Sequence, residues 1–159
     1  MIEKLQPHQI NDIMDCVEQH AIEAKLTDKN KIDKNYLAQK IKSVMIKQNY
    51  TIFVYYMGRK IVGYVSGQLA QQFWNEKIYA HIDFLYFHEG YRNKNTAKEL
   101  YTAFETWAKE NGADYVQAGV NHFDDQGKCY NDYVRRGKIF FSTVGFNETG
   151  CNMIKKVDQ

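Results

Sequence analysis

The chain has 159 residues, of which 44% are hydrophobic and 14% aromatic, a composition that excludes an intrinsically disordered protein. Its 21 basic and 19 acidic residues give a net charge of +2, which is too small to indicate nucleic-acid binding by itself. Three cysteines without a C-x-x-C pair predict reduced thiols in a cytoplasmic protein, and no apolar run reaches the length of a membrane span. We therefore expect a single domain over residues 1–159 with no membrane partner.

The first half of the chain predicts a short strand, two helices and a β-hairpin. Pro7 suits the first turn of a helix, and the apolar residues that follow it keep helical spacing. Asp33 is a good N-cap for a second helix. Gly58 and Arg59 separate two strand-like runs, as the two residues of a tight hairpin do. The predicted strands are residues 1–5, 50–57 and 60–68.

The stretch from residue 79 to residue 112 carries the strongest pattern in the chain. Residues 79–87 are rich in aromatic and β-branched side chains, which predicts a strand, and a long amphipathic helix follows. Asn111 and Gly112 tolerate the left-handed conformation in which helices end, so we place the helix end there. The apolar face of this helix consists of Ala97, Leu100, Ala103, Phe104, Trp107 and Ala108.

A basic loop over residues 92–97 joins this strand to this helix. The first turn of a helix presents backbone N–H groups without helical partners, and such groups form an anion site. Arg92 and Lys94 add positive charge to it. On physical grounds alone, the loop is a candidate phosphate-binding site.

The last third of the chain predicts a buried strand, a helix and a closing pair of strands. Residues 113–120 follow the long helix and have the apolar character of a parallel strand. A polar loop and a helix over residues 129–144 come next. Gly145 and Phe146 then open a pair of strands that ends in residues 152–157.

Two of these segments resemble the core of the GNAT superfamily, the acetyl-CoA-dependent N-acetyltransferases. The loop from Arg92 to Ala97 is similar to the family motif Arg/Gln-x-x-Gly-x-Gly/Ala, which wraps the pyrophosphate of coenzyme A, with Asn95 in place of the middle Gly. The predicted hairpin resembles the second and third strands of that fold. The resemblance implies a mixed α/β (α+β) fold with a central, mostly antiparallel sheet that is flanked by helices and splays between strands four and five.

A segment near the C-terminus also resembles the family, in which Asn-x-x-Ala-x-x-Phe-Tyr-x-x-x-Gly-Phe is common. Residues 134–146 keep the small residue (Gly137), the aromatic pair and the final Gly-Phe, but Phe141 replaces the Tyr and has no hydroxyl to act as a general acid. Tyr133 precedes it by about two helical turns and is our candidate acid, with Tyr130 as a second option. A second register places Tyr133 and Gly137 on the Tyr-x-x-x-Gly part of the motif.

The resemblance implies an N-acetyltransferase that moves an acetyl group from acetyl-CoA to a primary amine by direct transfer in a ternary complex. Asp83 aligns with a Glu that acts as base in many members, and a carboxylate in an otherwise apolar strand suits that role. Tyr133 would be the acid. The implied cofactor-binding residues are Leu85, Tyr86, Phe87, Arg92, Asn93, Lys94, Asn95, Thr96, Ala97 and Phe141.

The expected partners are acetyl-CoA as co-substrate and an amine. No metal is expected, because His81, His88 and His122 lack the spacing of metal ligands, and Cys129 has no activating base beside it in the sequence. Nucleic acid is not expected as a partner, and a homodimer is common in the family.

Two other functions stay open from the sequence. Asn95 and Phe141, which replace the family Gly and Tyr, would suit a catalytically weak GNAT-like domain that binds acyl-CoA or serves as an interaction module. Arg135 and Arg136 would suit a tRNA-directed acetyltransferase. The acetyl acceptor is not identified by the sequence, because one fold serves many substrates.

Overall fold

The computed structural model describes residues 1–24, 26–27, 31–119 and 131–148, with all side chains in these ranges except those of residues 94 and 131–133. The strands are β1 (Ile2–Lys4), β2 (Tyr50–Met57), β3 (Lys60–Gln71), β4 (Ile78–Phe87) and β5 (Tyr115–Ala118). The α-helices are α1 (Ile10–Glu23), α2 (Lys34–Met45), α3 (Lys94–Glu110) and α4 (Asn131–Thr143). No helix in these ranges is long and apolar enough to cross a membrane.

The five strands form one sheet in the order β1-β2-β3-β4-β5. Neighbours from β1 to β4 are antiparallel, whereas β4 and β5 are parallel. The β4–β5 pairing ends at Ile82 and Ala118, but β4 continues to Phe87. Within the described residues, one edge of β4 beyond Ile82 therefore has no neighbouring strand, and we call it the open edge of β4. The predicted mixed, mostly antiparallel sheet is confirmed.

A β-bulge at Asp83 divides β4 into two parts. Ile82 pairs with Gly67 and Phe84 with Ser66, so Asp83 is an extra residue without a partner on β3. Such a bulge redirects the side chains that follow it. Ile82 and Phe87 therefore pack on the same face of the sheet, which regular alternation along an unbroken strand would not allow.

Helices cover both faces of the sheet. On one face, α1 and α2 contribute Ile13 and Ile41 to a core that also contains Tyr86. On the other face, α3 buries Leu100 and Phe104 completely. The apolar face predicted for α3 is thus confirmed as core.

Gly67 lets β3, β4 and α3 approach one another closely. A Cβ at this position would lie 2.1 Å from the carbonyl oxygen of His81 and 2.8 Å from the ring of Phe104. Both distances are shorter than real Cβ contacts allow. The residue stands beside the bulge, so a side chain here would disturb the strand that carries Asp83.

Most predicted elements are confirmed with shifted ends. β3 extends to Gln71, beyond the predicted end at residue 68, and β5 is shorter than predicted. The N-cap role of Asp33 is confirmed, because its carboxylate accepts two backbone N–H groups of the first turn of α2 at 2.9 and 3.0 Å. The segment between β5 and α4 and the closing strands predicted after Phe146 lie outside the described residues.

Candidate active site

A cleft of about 620 Å³ opens where β4 and β5 part. Its floor is β4 from Ile82 to Phe87, and its remaining sides come from the end of α1, the start of α3 and one side of α4. We call His20, Glu23 and Ala24 the α1 wall. The predicted cofactor residues that line this cleft are Leu85, Tyr86, Phe87, Arg92, Asn93, Ala97 and Phe141.

Asp83, the predicted base, lies in the cleft at the bulge. Nε2 of His81 is 3.9 Å from its carboxylate. Burial raises the pKa of Tyr50, and the negative charge of the adjacent Asp83 raises it further, although the nearby Ser66 hydroxyl lowers it. Tyr50 therefore stays protonated, and its hydroxyl can donate to the Asp83 carboxylate. A partly exposed carboxylate is thus held at the point where the sheet opens.

The predicted loop over residues 92–97 is shorter than expected, because α3 already begins at Lys94. Asn93 is the N-cap, and its side-chain oxygen accepts the backbone N–H groups of Asn95 at 3.0 Å and Thr96 at 2.9 Å. This cap satisfies two of the N–H groups that we expected to hold an anion. Asn95 and Thr96 belong to the first turn of α3, and their side chains do not line the cleft.

The side chain of Arg92 crosses the cleft to the α1 wall. Its guanidinium pairs with the carboxylate of Glu23, and its Nε donates to the carbonyl oxygen of Phe87 at 2.7 Å. The guanidinium also lies 5.5 Å from the ring centroid of Tyr86. Arg92 is therefore held on three sides by protein groups.

α4 closes the cleft with several apolar side chains and with Arg136. Phe141 packs against Phe140 and Phe146, with ring centroids 5.4 and 4.9 Å away. Tyr133, the candidate acid, lies in the first turn of α4, but its side chain is outside the described residues, as are Tyr130 and Cys129.

His20 is a cleft residue that our sequence analysis missed. Its Nδ1 lies 2.6 Å from the hydroxyl of Tyr64, and its ring stacks on Tyr86 with centroids 4.5 Å apart. Burial raises the pKa of Tyr64 far above its usual range, so the hydroxyl stays protonated and can donate to His20. The ring also meets Phe84 edge-on at 5.6 Å.

Glu23 is the second residue that the sequence analysis missed. Burial raises the pKa of its carboxyl, but hydrogen bonds from Gln19 and Tyr86 and the charge of Arg92 outweigh burial and lower it. Glu23 is therefore ionised at neutral pH. Cys16, His20 and Glu23 lie on one face of α1. Two polar residues on the same helix face as a buried residue were the signal by which the sequence could have identified His20 and Glu23.

The described residues indicate neither a metal site nor a reactive cysteine. In the described part of the chain, no group of three or more His, Cys, Asp or Glu side chains could hold a metal ion, and His122 lies outside that part. Cys16 is a free thiol in the core, and burial raises its pKa to about 12. Cys16 is therefore not a candidate nucleophile.

The sequence profile of the acetyltransferase (GNAT) family matches residues 13–129, which is more than half of the chain. The chain belongs to the GNAT family of acetyltransferases. The matched range contains β4, its bulge and the start of α3. The resemblance seen in the sequence is confirmed, and so is the enzyme class.

Solved acetyltransferase structures share the fold over nearly their whole length. An aminoglycoside acetyltransferase from an uncultured soil metagenomic sample, in complex with sisomicin, has 18% identity and a TM-score of 0.75, covering 99% of this chain and 96% of that one. A possible acetyltransferase from Clostridium difficile 630 has 15% identity and a TM-score of 0.73, covering 100% and 97%. None of the curated proteins compared with the chain matches it.

Proposed function

We propose that this GNAT acetyltransferase moves an acetyl group from acetyl-CoA directly to a primary amine while both are bound. The observation that carries the proposal is the open edge of β4, which faces a cleft that also receives the start of α3. An open strand edge offers backbone N–H groups to a carbonyl oxygen, and a helix N-terminus favours an anion. Acetyl-CoA has both a thioester carbonyl and a pyrophosphate.

The donor would lie along the floor of the cleft. Its pantetheine arm would follow Leu85, Tyr86 and Phe87, and its pyrophosphate would meet the backbone from Arg92 to Ala97. Two N–H groups there are now bound by the side chain of Asn93, so the pyrophosphate would replace that side chain. Phosphate oxygens are stronger acceptors than an amide oxygen because they carry charge.

Asp83 would act as the base in the transfer. The amine nitrogen attacks the thioester carbon, and the new C–N bond forms as Asp83 takes a proton from nitrogen, directly or through water. The C–S bond then breaks, and the coenzyme A thiolate takes a proton from Tyr133 or from solvent. N–H groups on the open edge of β4 would stabilise the oxyanion between these steps.

The acceptor is a primary amine in this proposal, and the cytoplasm is the expected compartment. The likeness to an aminoglycoside acetyltransferase makes sisomicin a reasonable first acceptor to test, beside simpler amines. Cys16 is a free thiol, which agrees with a reducing compartment.

An acetyl-transfer assay on Asp83→Asn tests the proposal. The enzyme is given acetyl-CoA with sisomicin, cadaverine, a peptide with a free N-terminus or a peptide with one free lysine, and release of coenzyme A thiol is measured. We expect kcat/KM of Asp83→Asn to fall about a hundredfold or more with the preferred amine, because the amide cannot accept the proton. Asp12→Asn, on the exposed first turn of α1, is the matched control and should retain activity.

Two results would count against the proposal. Full activity in Asp83→Asn would remove Asp83 from the role of base. Tight acetyl-CoA binding without transfer to any of these amines would instead favour a domain that only binds acyl-CoA.

A further inference from the structure

Arg92 belongs to the predicted phosphate loop. Its ion pair with Glu23 directs its side chain toward α1. Lys94 is the other basic residue of that loop, and its side chain lies outside the described residues. The hydrogen bond to Phe87 and the ring of Tyr86 hold the guanidinium in the same place. Arg92 thus contacts a carboxylate rather than the first turn of α3, where a pyrophosphate would lie.

Glu23 is both fixed and reachable from the cleft. Nε2 of Gln19 donates to its Oε1 at 3.2 Å, and the guanidinium of Arg92 pairs with the same carboxylate. Its side chain is 19% exposed and lines the cleft. A carboxylate has lone pairs for several donors at once, so a ligand cation can join these partners.

The α1 wall offers a positively charged ligand a carboxylate and an aromatic ring. Glu23 and Asp83 bring two negative charges to the described lining of the cleft, and Arg92 and Arg136 bring two positive charges. Arg136 lies on α4 and not on the α1 wall. Phe84 is 45% exposed and offers an aromatic ring beside His20. With the donor on the α3 side and the floor, the α1 wall and α4 are the described sides left for the acceptor, and of these two only the α1 wall brings a carboxylate, Glu23.

We propose that Glu23 binds a positively charged group of the acceptor other than its reacting amine, and that Arg92 is a positioning residue that holds Glu23 for this role. The inference rests on the proposed function, in which Asp83 serves the reacting amine. It names the acceptor class as amines with a second cationic group. It also assigns the pyrophosphate to the backbone of the first turn of α3 and not to the guanidinium of Arg92.

Calorimetric titration of a matched pair of amines tests this assignment. Cadaverine has a second ammonium, and the amino alcohol of the same chain length has a neutral hydroxyl instead. The wild type should bind cadaverine about tenfold more tightly, which is the effect of one charge-assisted hydrogen bond. Glu23→Gln should reduce this preference to about twofold or less. Glu18→Gln is the matched control, since Glu18 lies on the same helix in an ion pair with Lys34.

A second titration separates the two roles of Arg92. Acetyl-CoA and S-acetylpantetheine differ by the pyrophosphate and nucleotide. A side chain that binds the pyrophosphate should therefore affect the affinity for acetyl-CoA only. We expect Arg92→Met to leave the ratio of the two dissociation constants unchanged. Loss of acetyl-CoA affinity alone would overturn the assignment, and so would equal binding of the two amines by the wild type. Failure of the wild type to bind acetyl-CoA would instead contradict the proposed function. The two failures can be told apart, because the amines are titrated in the absence of acetyl-CoA.

Discussion

Two polar residues on the buried stripe of α1 explain how the first helix reaches the candidate active site. Cys16 is fully buried, and His20 and Glu23 follow it at helical spacing. Polar groups at such positions need partners, and these residues find them in Tyr64 and Arg92. The partners lie far away in the sequence, so the role of these residues could not be derived from local pattern alone.

His88 provides a titratable group next to the site. It follows β4, and its Nδ1 lies 3.4 Å from the hydroxyl of Tyr86. Its Nε2 is buried without a hydrogen-bond partner among the described residues. Burial, followed by the positive charges of Lys60 and Arg92, lowers the pKa of His88 below its ordinary value of 6.5.

This lowered pKa predicts a loss of stability in mild acid. The unfolded chain binds a proton at His88 more readily than the folded chain, so the free energy of unfolding should fall as the pH drops from 6.5 through the lower folded value. We expect His88→Gln to lose less stability than the wild type between about pH 7 and about pH 5 in urea unfolding. His8→Gln, at an exposed position, is the control, and equal pH dependence of all three proteins would contradict the prediction.

At the scale of elements, the packing of β3 against β4 and α3 fixes the bulge. Gly67→Ala should lower the free energy of unfolding by about 2 kcal/mol, because its Cβ would press on the backbone of His81 and the ring of Phe104. Gly90→Ala is the matched control, since a Cβ there would meet nothing within 4 Å. Urea unfolding of both variants measures the difference, and equal stabilities would show that the sheet relaxes around the new methyl group.

Elements with a strong periodic pattern could be predicted from the sequence, and their ends could not. The apolar face of α3 and the hairpin at Gly58 were predicted because each follows from local spacing and turn chemistry. The start of α3 was predicted too late, since the side chain of Asn93 caps the helix within the segment that we took as a loop. Capping depends on one hydrogen-bond geometry, which periodicity does not report.

The cleft is a property of the whole molecule. Asp83 could be selected from the sequence because it is a carboxylate within a recognisable apolar strand and aligns with a family Glu. Arg92 could be selected because it follows that strand in a family motif. The α1 wall could not, because it meets β4 only through tertiary packing. The open edge of β4 likewise depends on where the pairing with β5 stops, at Ile82, and not on any residue type.

The most direct measurement is a calorimetric titration of acetyl-CoA into the wild type, Asn95→Asp and Asn35→Asp. Asn95 and Asn35 are both the second residue of a helix, in α3 and α2, and each donates its N–H to the N-cap side chain. A negative charge in a first turn favours the helix, so both variants should fold. Only Asn95→Asp brings that charge next to the backbone N–H groups that the pyrophosphate would bind, because Asn95 is in the first turn of α3.

We predict that the wild type and Asn35→Asp bind acetyl-CoA equally, and that Asn95→Asp binds it at least about tenfold more weakly, the effect of one unfavourable charge contact. Equal binding by all three proteins would place the pyrophosphate away from the start of α3. If the wild type does not bind acetyl-CoA, the proposed function is wrong, because the fold would then be present in a protein that does not bind the proposed acetyl donor.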